Sequence, residues 1–394
     1  MANLLKSVFG SSGKKKSRRF VEPGQSLKGD AALEQAWALD VANKRKGTWW
    51  WWFWLFFFEN PKNPSKPRQL MVLWSTKNDK EINCNGRQIT LRKEPAKTSG
   101  KKAFLDGVVA SWYFDGNKMH DDFFLQHSDI TVDKSKKEVK TENAITCQKG
   151  SVLKTILKKG SLSMEFNARL LRESDSAQPV MRSKRFFGGK YDYRIIKINK
   201  LDLTCLIKQG RKVEKARGSA YFQKVTVNAP VMPWYWSIVH LEDGGVLSYF
   251  YPHVGVSLLE DNLFKGVATQ QFLQKVNKSL SKELVYYDPS CKSVHFFRKL
   301  KVRAATNKQG LPLWHVRAKN EAGEKIDLKL NSYAKSFWKF RKKVGRLPLK
   351  STLYYNEYPV RLTSFEFYSK NKRKTLKDTG GGVGNAEHAW GFLY

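Results

Sequence analysis

The stretch "GTWWWWFWLFFFEN", Gly47 to Asn60, places ten consecutive large apolar residues, Trp49 to Phe58, between a glycine and a proline-containing turn. About ten residues fall well short of the roughly 20 that a bilayer-spanning helix requires. As a strand, the run sends Trp49, Trp51, Phe53, Leu55 and Phe57 one way and Trp50, Trp52, Trp54, Phe56 and Phe58 the other. Each aromatic ring carries roughly 4–6 kcal/mol of gross transfer energy as an upper bound. A strand wet on one face is therefore excluded, and the run is expected between two apolar spaces, such as a barrel interior and a covering helix or second domain.

The rest of the chain fits that setting. Short apolar or alternating stretches separated by turn residues recur from Trp49 onward, among them "RQLMVLWST", "GVVASWYF", "WYWSIVHLEDGGVLSYFY" and "VRLTSFEFYS". Asn85-Gly86, Asp115-Gly116 and Asp243-Gly244 are turn signals, the last between two apolar runs as a hairpin requires. The expected class is mainly β, with antiparallel barrels or sandwiches and one short N-terminal helix in "DAALEQAWALDVANKRK", whose buried stripe is Leu33, Trp37 and Val41. Residues 1–28, with Lys14, Lys15, Lys16, Arg18 and Arg19, read as a flexible basic tail. A composition shift near residue 278 divides the remainder into 29–278 and 279–394.

Lys and Arg outnumber Asp and Glu by 72 to 35, a formal charge of +37 spread along the chain. Such a surface favours anionic partners, whether nucleic acid, an acidic membrane surface or an acidic protein. "KSFWKFRKKVGRLPLK", Lys335 to Lys350, alternates cations and aromatics as a nucleic-acid groove or membrane-facing surface does, and equally as basic stems covering apolar surface do. Cys84, Cys147, Cys205 and Cys291 are widely separated, which points to a reduced, cytoplasmic setting, and the N-terminus has no secretory pattern. Asp115, His120, Asp121, Asp122, His127 and Asp129 form no metal-ligand spacing and read as an exposed acidic loop, so neither metal nor cofactor is expected.

The segment with most chemistry is Gly218 to Tyr251. Its second strand sets Trp234, Trp236, Ile238 and His240 on one face, and the returning strand sets Tyr249 and Tyr251 on a common face. Two readings stay open: an aromatic cavity with one imidazole, or a packed core whose histidine is satisfied by a backbone carbonyl. Glu387 and His388 fall on opposite faces of the last strand, His388 beside Trp390.

Three segments also carry a family resemblance. "GTWWWWFW" resembles the opening "E-W-W-Y-F" strand of the AttH and carotenoid 1,2-hydratase (hydroxyneurosporene synthase) family. "GSAYFQKVTVNAPVMPWYWSIVHLEDGGVLSYF" resembles its central "G-x-x-Y … D-H-Q-W-G … L-x-D-G" block, and "GGGVGNAEHAWGFLY" its terminal "G-x-G-Y-x-E-x-x-G" strand. The resemblance covers about residues 45 to 394. It implies two lipocalin-like β-barrel domains that bind or transform a hydrophobic isoprenoid, carotenoid or lipid-like molecule by hydration, isomerisation or cyclisation. Where hydratase members have Asp-His, this chain has Pro233 to Ser237, and the position of their acid falls near Tyr251-Pro252, where no carboxylate stands. Glu387 matches the family's terminal glutamate and is the remaining acid if it points into a barrel, with a structural hydrogen bond or salt bridge as its other reading. The candidate catalytic residues are therefore Glu387 and His240. Trp49, Trp51, Trp234, Tyr235, Trp236, Tyr249, Tyr251, His388 and Trp390 are the candidate ligand contacts. Nucleic-acid binding and peripheral membrane association are the competing functions.

Overall fold

A computed structural model describes residues 26–38, 45–92, 96–171, 178–186, 190–255, 278–343, 350–370 and 372–393. The strand Trp49–Phe58 pairs antiparallel with Arg68–Lys77 on one side and Lys212–Asn228 on the other, so it is an interior strand whose backbone groups are taken up on both edges. Trp50, Trp52, Trp54, Phe56 and Phe58 enter one apolar core. Phe53, Leu55 and Phe57 enter another, where Trp51 packs half-buried. Both faces are dry except at the start of the strand, where Trp49 and Trp51 are half-buried.

The first of these cores is the interior of a closed barrel. Its pairings run from Tyr191–Gln209 through Leu162–Leu170, Val152–Lys159, Ala144–Lys149, Glu138–Lys140, Met119–Asp133, Lys102–Phe114, Arg68–Lys77 and Trp49–Phe58 to Lys212–Asn228. That last strand pairs back onto Tyr191–Gln209, which closes ten antiparallel strands with no free edge. The helix Gly29–Glu34 and the 3-10 turn Gln35–Trp37 plug the barrel, burying Ala32, Leu33, Ala36 and Trp37 in its core. Trp37 Nε1 donates to Gln148 Oε1 at 2.9 Å, and Trp52 Nε1 donates to the Ala36 carbonyl at 2.8 Å. The helix is shorter than its sequence pattern suggests, and Val41 lies outside the described residues.

The second sheet runs in the order Ser293–Phe297, Glu283–Asp288, Val246–Val254, Trp234–Leu241, Gly382–Gly391, Lys350–Ser369, Lys325–Ser332, Pro312–Lys319 and Lys299–Thr306. It curls around its own core, across which Tyr235 meets Trp314 at 5.9 Å and Tyr286 meets Phe365 at 5.5 Å between ring centroids. The chain is thus mainly β, antiparallel throughout, with a short N-terminal helix, as the sequence leads one to expect.

Three segments are placed as follows. Trp234–Leu241 and Val246–Val254, assigned by sequence to the 29–278 unit, pair with Gly382–Gly391 and Glu283–Asp288 in the second sheet. The change of sheet falls at residues 229–233, where Pro230 and Pro233 cannot extend a ladder. Ser26–Lys28 is not tail but an edge strand paired with Val180, Met181 and Arg182; residues 1–25 lie outside the described set. His120, Asp121, Asp122, His127 and Asp129 sit on the strand Met119–Asp133 rather than in a loop, with His120 bonded to Asp115 at 2.9 Å and His127 to the buried Asp106.

The hairpin Glu81–Cys84 with Arg87–Thr90, turned at Asn85 (φ 49°) and Gly86 (φ 78°), leaves the first sheet to pair with Phe340 and Arg341. Early and late parts of the sequence therefore share the second sheet. The two sheets pack face to face over an apolar seam.

Candidate functional site

The seam is built from alternate residues of the second sheet laid against the outer face of the first. Cross-strand pairing aligns Ser336, Glu357, Glu387 and Trp236 in one row and Trp338, Tyr355, Ala389 and Trp234 in the next. Glu357 and Glu387 are direct cross-strand neighbours, 0% and 6% exposed. Like charges directly opposite on a sheet are destabilising, and burial disfavours ionisation of each. The two carboxyls accordingly sit in the protonated direction. Burial holds Glu387 up to about 7 against the pull of its hydrogen bonds, and burial, followed by the field of Glu387, pushes Glu357 well above the usual carboxylate range.

Their partners are specific. Trp234 Nε1 donates to Glu387 Oε2 at 2.8 Å and Tyr355 Oη donates to Glu387 Oε1 at 2.7 Å. Asn385 Nδ2 donates to Glu357 Oε2 at 3.0 Å. Among the described residues, Ser336 Oγ and Trp338 Nε1 are buried without a hydrogen-bond partner. Gln69 ties the sheets together, donating to Tyr333 Oη at 2.6 Å and to the Gly384 carbonyl at 3.0 Å. Gly384 is required there, since a Cβ would stand 2.2 Å from the Ile238 carbonyl oxygen.

Beside the acid pair, Trp49, Trp51, Trp234, Trp236, Phe340 and Tyr355 are half-buried and mutually packed, forming an aromatic strip that reaches solvent. Trp234 and Tyr355 rings lie 5.4 Å apart, and Trp236 lies 5.4 Å from Tyr221 of the first sheet. Lys77 stands over the Trp49 ring at 4.7 Å.

The single aromatic site drawn from the sequence is divided by the second sheet. Glu387, Trp49, Trp51, Trp234 and Trp236 meet in the seam, whereas Tyr235, Tyr249 and Tyr251 lie in the core of the second sheet and His388 and Trp390 point to that same side. There the Tyr235 ring is stacked on His253 at 4.9 Å and on His388 at 4.7 Å. Burial lowers both imidazoles, His253 to about 4 and His388 to about 3, so both are neutral at physiological pH.

Glu387 points into the seam rather than into a barrel. Of its two readings, it makes the hydrogen bonds of the structural one while retaining the raised proton affinity of an acid. His240 is satisfied on both sides: Nδ1 bonds Ser219 Oγ at 2.7 Å and Nε2 bonds the Asn199 carbonyl at 2.7 Å, while burial lowers it to about 3. It pins the second sheet to the barrel, the packed-core reading, and leaves no nitrogen for proton transfer in this arrangement. Glu357, Tyr355 and Ser336 were not singled out in the sequence, although strict alternation in "STLYYNEYPVRL" places Tyr355 and Glu357 on one face.

The fold and site together define a barrel protein with a second, curled sheet packed against it and a buried carboxyl pair between them. No family model and no curated protein matches the sequence. Among solved structures, the chain is similar to a protein from Nitrosomonas europaea provisionally called AttH, at 12% identity and a TM-score of 0.48 over 89% of this chain and 94% of that one. It is also similar to CghA, at 8% identity and a TM-score of 0.42 over 94% and 98%. Likeness at this distance transfers no residue's role.

Proposed function

We propose that the protein binds a hydrophobic, isoprenoid- or lipid-like molecule along the aromatic strip of the seam and that Glu387 protonates a double bond held there. The observation that carries this reading is the pairing of a half-exposed strip of aromatic rings with a buried carboxyl whose proton affinity sits near neutrality. Flat polyene skeletons stack well on such rings. Alkene protonation needs a general acid kept un-ionised in an apolar site, which burial supplies at Glu387.

In this scheme the Glu387 proton forms a new C–H bond as the π bond breaks, leaving a cation beside the faces of Trp234, Trp236 and Tyr355. Water adding to that cation and losing a proton to the Glu387 carboxylate gives hydration, and loss of a different carbon-bound proton to the same carboxylate gives isomerisation. Tyr355 and Trp234, which donate to Glu387, stabilise the carboxylate formed in between.

The test is extraction of the protein, purified from its own cells at high salt, followed by mass spectrometry of the organic phase. The expected result is a stoichiometric polyene, quinone or other isoprenoid. With that compound as ligand, Trp236→Ala should bind at least about tenfold more weakly while remaining folded. Unchanged affinity in the folded variant contradicts the assignment.

A second property is proposed from the open end of the second sheet, where a hollow of about 690 Å³ is lined by the cations Lys282, Arg298, Lys299, Lys301, Arg317, Lys319 and Lys325, in excess over the carboxylates Asp327 and Glu366. These cations suit an anionic lipid surface. Sedimentation with vesicles containing anionic lipid, and not with neutral ones, is expected, and reversing Lys299 and Lys319 to Glu should reduce it; equal sedimentation with neutral vesicles would remove this role. The "FWKFRKK" aromatics are less suited to nucleic acid, since Trp338 is buried in the seam, Phe340 packs against it, and Phe337 packs on Tyr354. Residues 344–349 of that segment lie outside the described set.

A further inference from the structure

We infer that the end of the second sheet carries a site for a borderline divalent cation such as zinc, held by Asp288, Cys291 and His295. These residues lie on one hairpin, Asp288 ending the strand Glu283–Asp288, Cys291 in the turn and His295 within Ser293–Phe297. Each brings one ligand atom to within 4.8 Å of the other two. An ion with ligands at about 2.0–2.3 Å requires only a small closing movement of that set. Cys291 is exposed on a turn of four residues, its Sγ 3.9 Å from the Asp288 carbonyl oxygen to which it donates.

The histidine is prepared for such a role. Its Nδ1 lies 3.0 Å from both Glu324 oxygens, which fixes the proton on that nitrogen and leaves the lone pair on Nε2. Nε2 is buried and has no hydrogen-bond partner among the described residues. A carboxylate behind a histidine is the common outer arrangement of metal-binding imidazoles, where it orients the ring and raises its basicity. The ring is further held between Tyr286, stacked at 5.8 Å, and Phe367 at 4.7 Å.

Asp288 is wholly buried and accepts hydrogen bonds from Lys372, Ser290 and Lys374. Its charge is shared with two lysines, Lys372 at 2.6 Å and Lys374 at 3.0 Å. The cation therefore competes with Lys372, whose side chain is 36% exposed and can turn out to water. Thiol, imidazole and carboxylate together suit zinc or cobalt(II) better than calcium or magnesium, which take oxygen ligands. The spacing Asp-x2-Cys-x3-His drew no attention in the sequence, because the orienting Glu324 lies on a different hairpin.

The test is a cobalt(II) titration of the purified full-length chain, followed by absorbance. One equivalent per chain with a sulfur-to-cobalt charge-transfer band is expected. Cys291→Ser should abolish the band, Glu324→Gln should weaken binding by about 10–100-fold, and Lys372→Met, which removes the competitor, should tighten it. Cys84, Cys147 and Cys205 are buried and are not expected to supply the band. A folded wild-type chain that takes up no cobalt, a band that survives in Cys291→Ser, or weaker binding in a folded Lys372→Met variant overturns the assignment.

Discussion

Replacing Glu387 with Gln is expected to make the protein more stable above pH 7 and to flatten its dependence on pH. In the folded chain this carboxyl titrates near 7 against an ordinary value of 4.5. The folded state thus holds an extra proton between those values, and stability falls as pH rises through the window. Below 4.5 the carboxyl is protonated folded or unfolded, and its contribution is fully retained. Above 7 the folded state must ionise a carboxylate that is 6% exposed, at a cost of about 3 kcal/mol relative to the unfolded chain. Glutamine is uncharged and of similar shape, so it removes that cost while it can still pair with Trp234 and Tyr355. Denaturant melts of wild type and variant at pH 5 and pH 8 measure it: near-equal midpoints at pH 5 and a higher midpoint for the variant at pH 8. Glu357, pushed further up by burial and by Glu387, extends the fall in wild-type stability to higher pH. If the proposed function holds, the same substitution abolishes turnover while leaving ligand affinity nearly intact.

Trp54→Ala should be among the most damaging substitutions in the chain. Trp54 is 0% exposed inside the barrel and packs on Phe56 at 5.2 Å and Phe222 at 4.6 Å. Phe56 stacks in turn on Phe166 of the far wall at 4.2 Å. Truncating a core tryptophan typically costs about 3–5 kcal/mol, and the closed barrel cannot collapse far to fill the space. Trp49, on the opposite face and half-buried at the edge of the seam, should cost about 1 kcal/mol on the same change. Urea melts of the two variants are the measurement. A cost for Trp54 no larger than that for Trp49 would mean that the even-numbered face does not form the barrel core.

The order of these effects shows what the residue pattern carries. Ten apolar side chains with strand periodicity have one physical solution, a strand dry on both faces, so the place of Trp49–Phe58 between two cores is legible from its residues alone. Hairpin turns are equally local: Asn85-Gly86 and Asp243-Gly244 take positive φ at Asn85, Gly86 and Gly244 and join adjacent strands. What cannot be read locally is which sheet a strand joins. Trp234–Leu241 has the same alternation in either sheet, and only its pairing with the distant Gly382–Gly391 decides. That pairing also sets the site. Glu387 faces Glu357 only because Gly382–Gly391 lies beside Lys350–Ser369 in this register, and no alternation rule relates residues 30 positions apart across two turns. His240 illustrates the converse: its face was predictable, but the Ser219 and Asn199 groups that satisfy it come from the other sheet.

Two buried glutamates in the seam bind protons far more tightly than ordinary carboxylates do. Carbon-13 NMR of chain labelled at the glutamate side-chain carboxyls, titrated from pH 3 to pH 9 in wild type, Glu357→Gln and Glu387→Gln, tests it most directly. One carboxyl is expected to titrate near 7 and a second to stay protonated above it, with one lost in each variant and Glu357 titrating lower once Glu387 is replaced. All glutamate carboxyls of the folded wild type titrating together below pH 5 would contradict it.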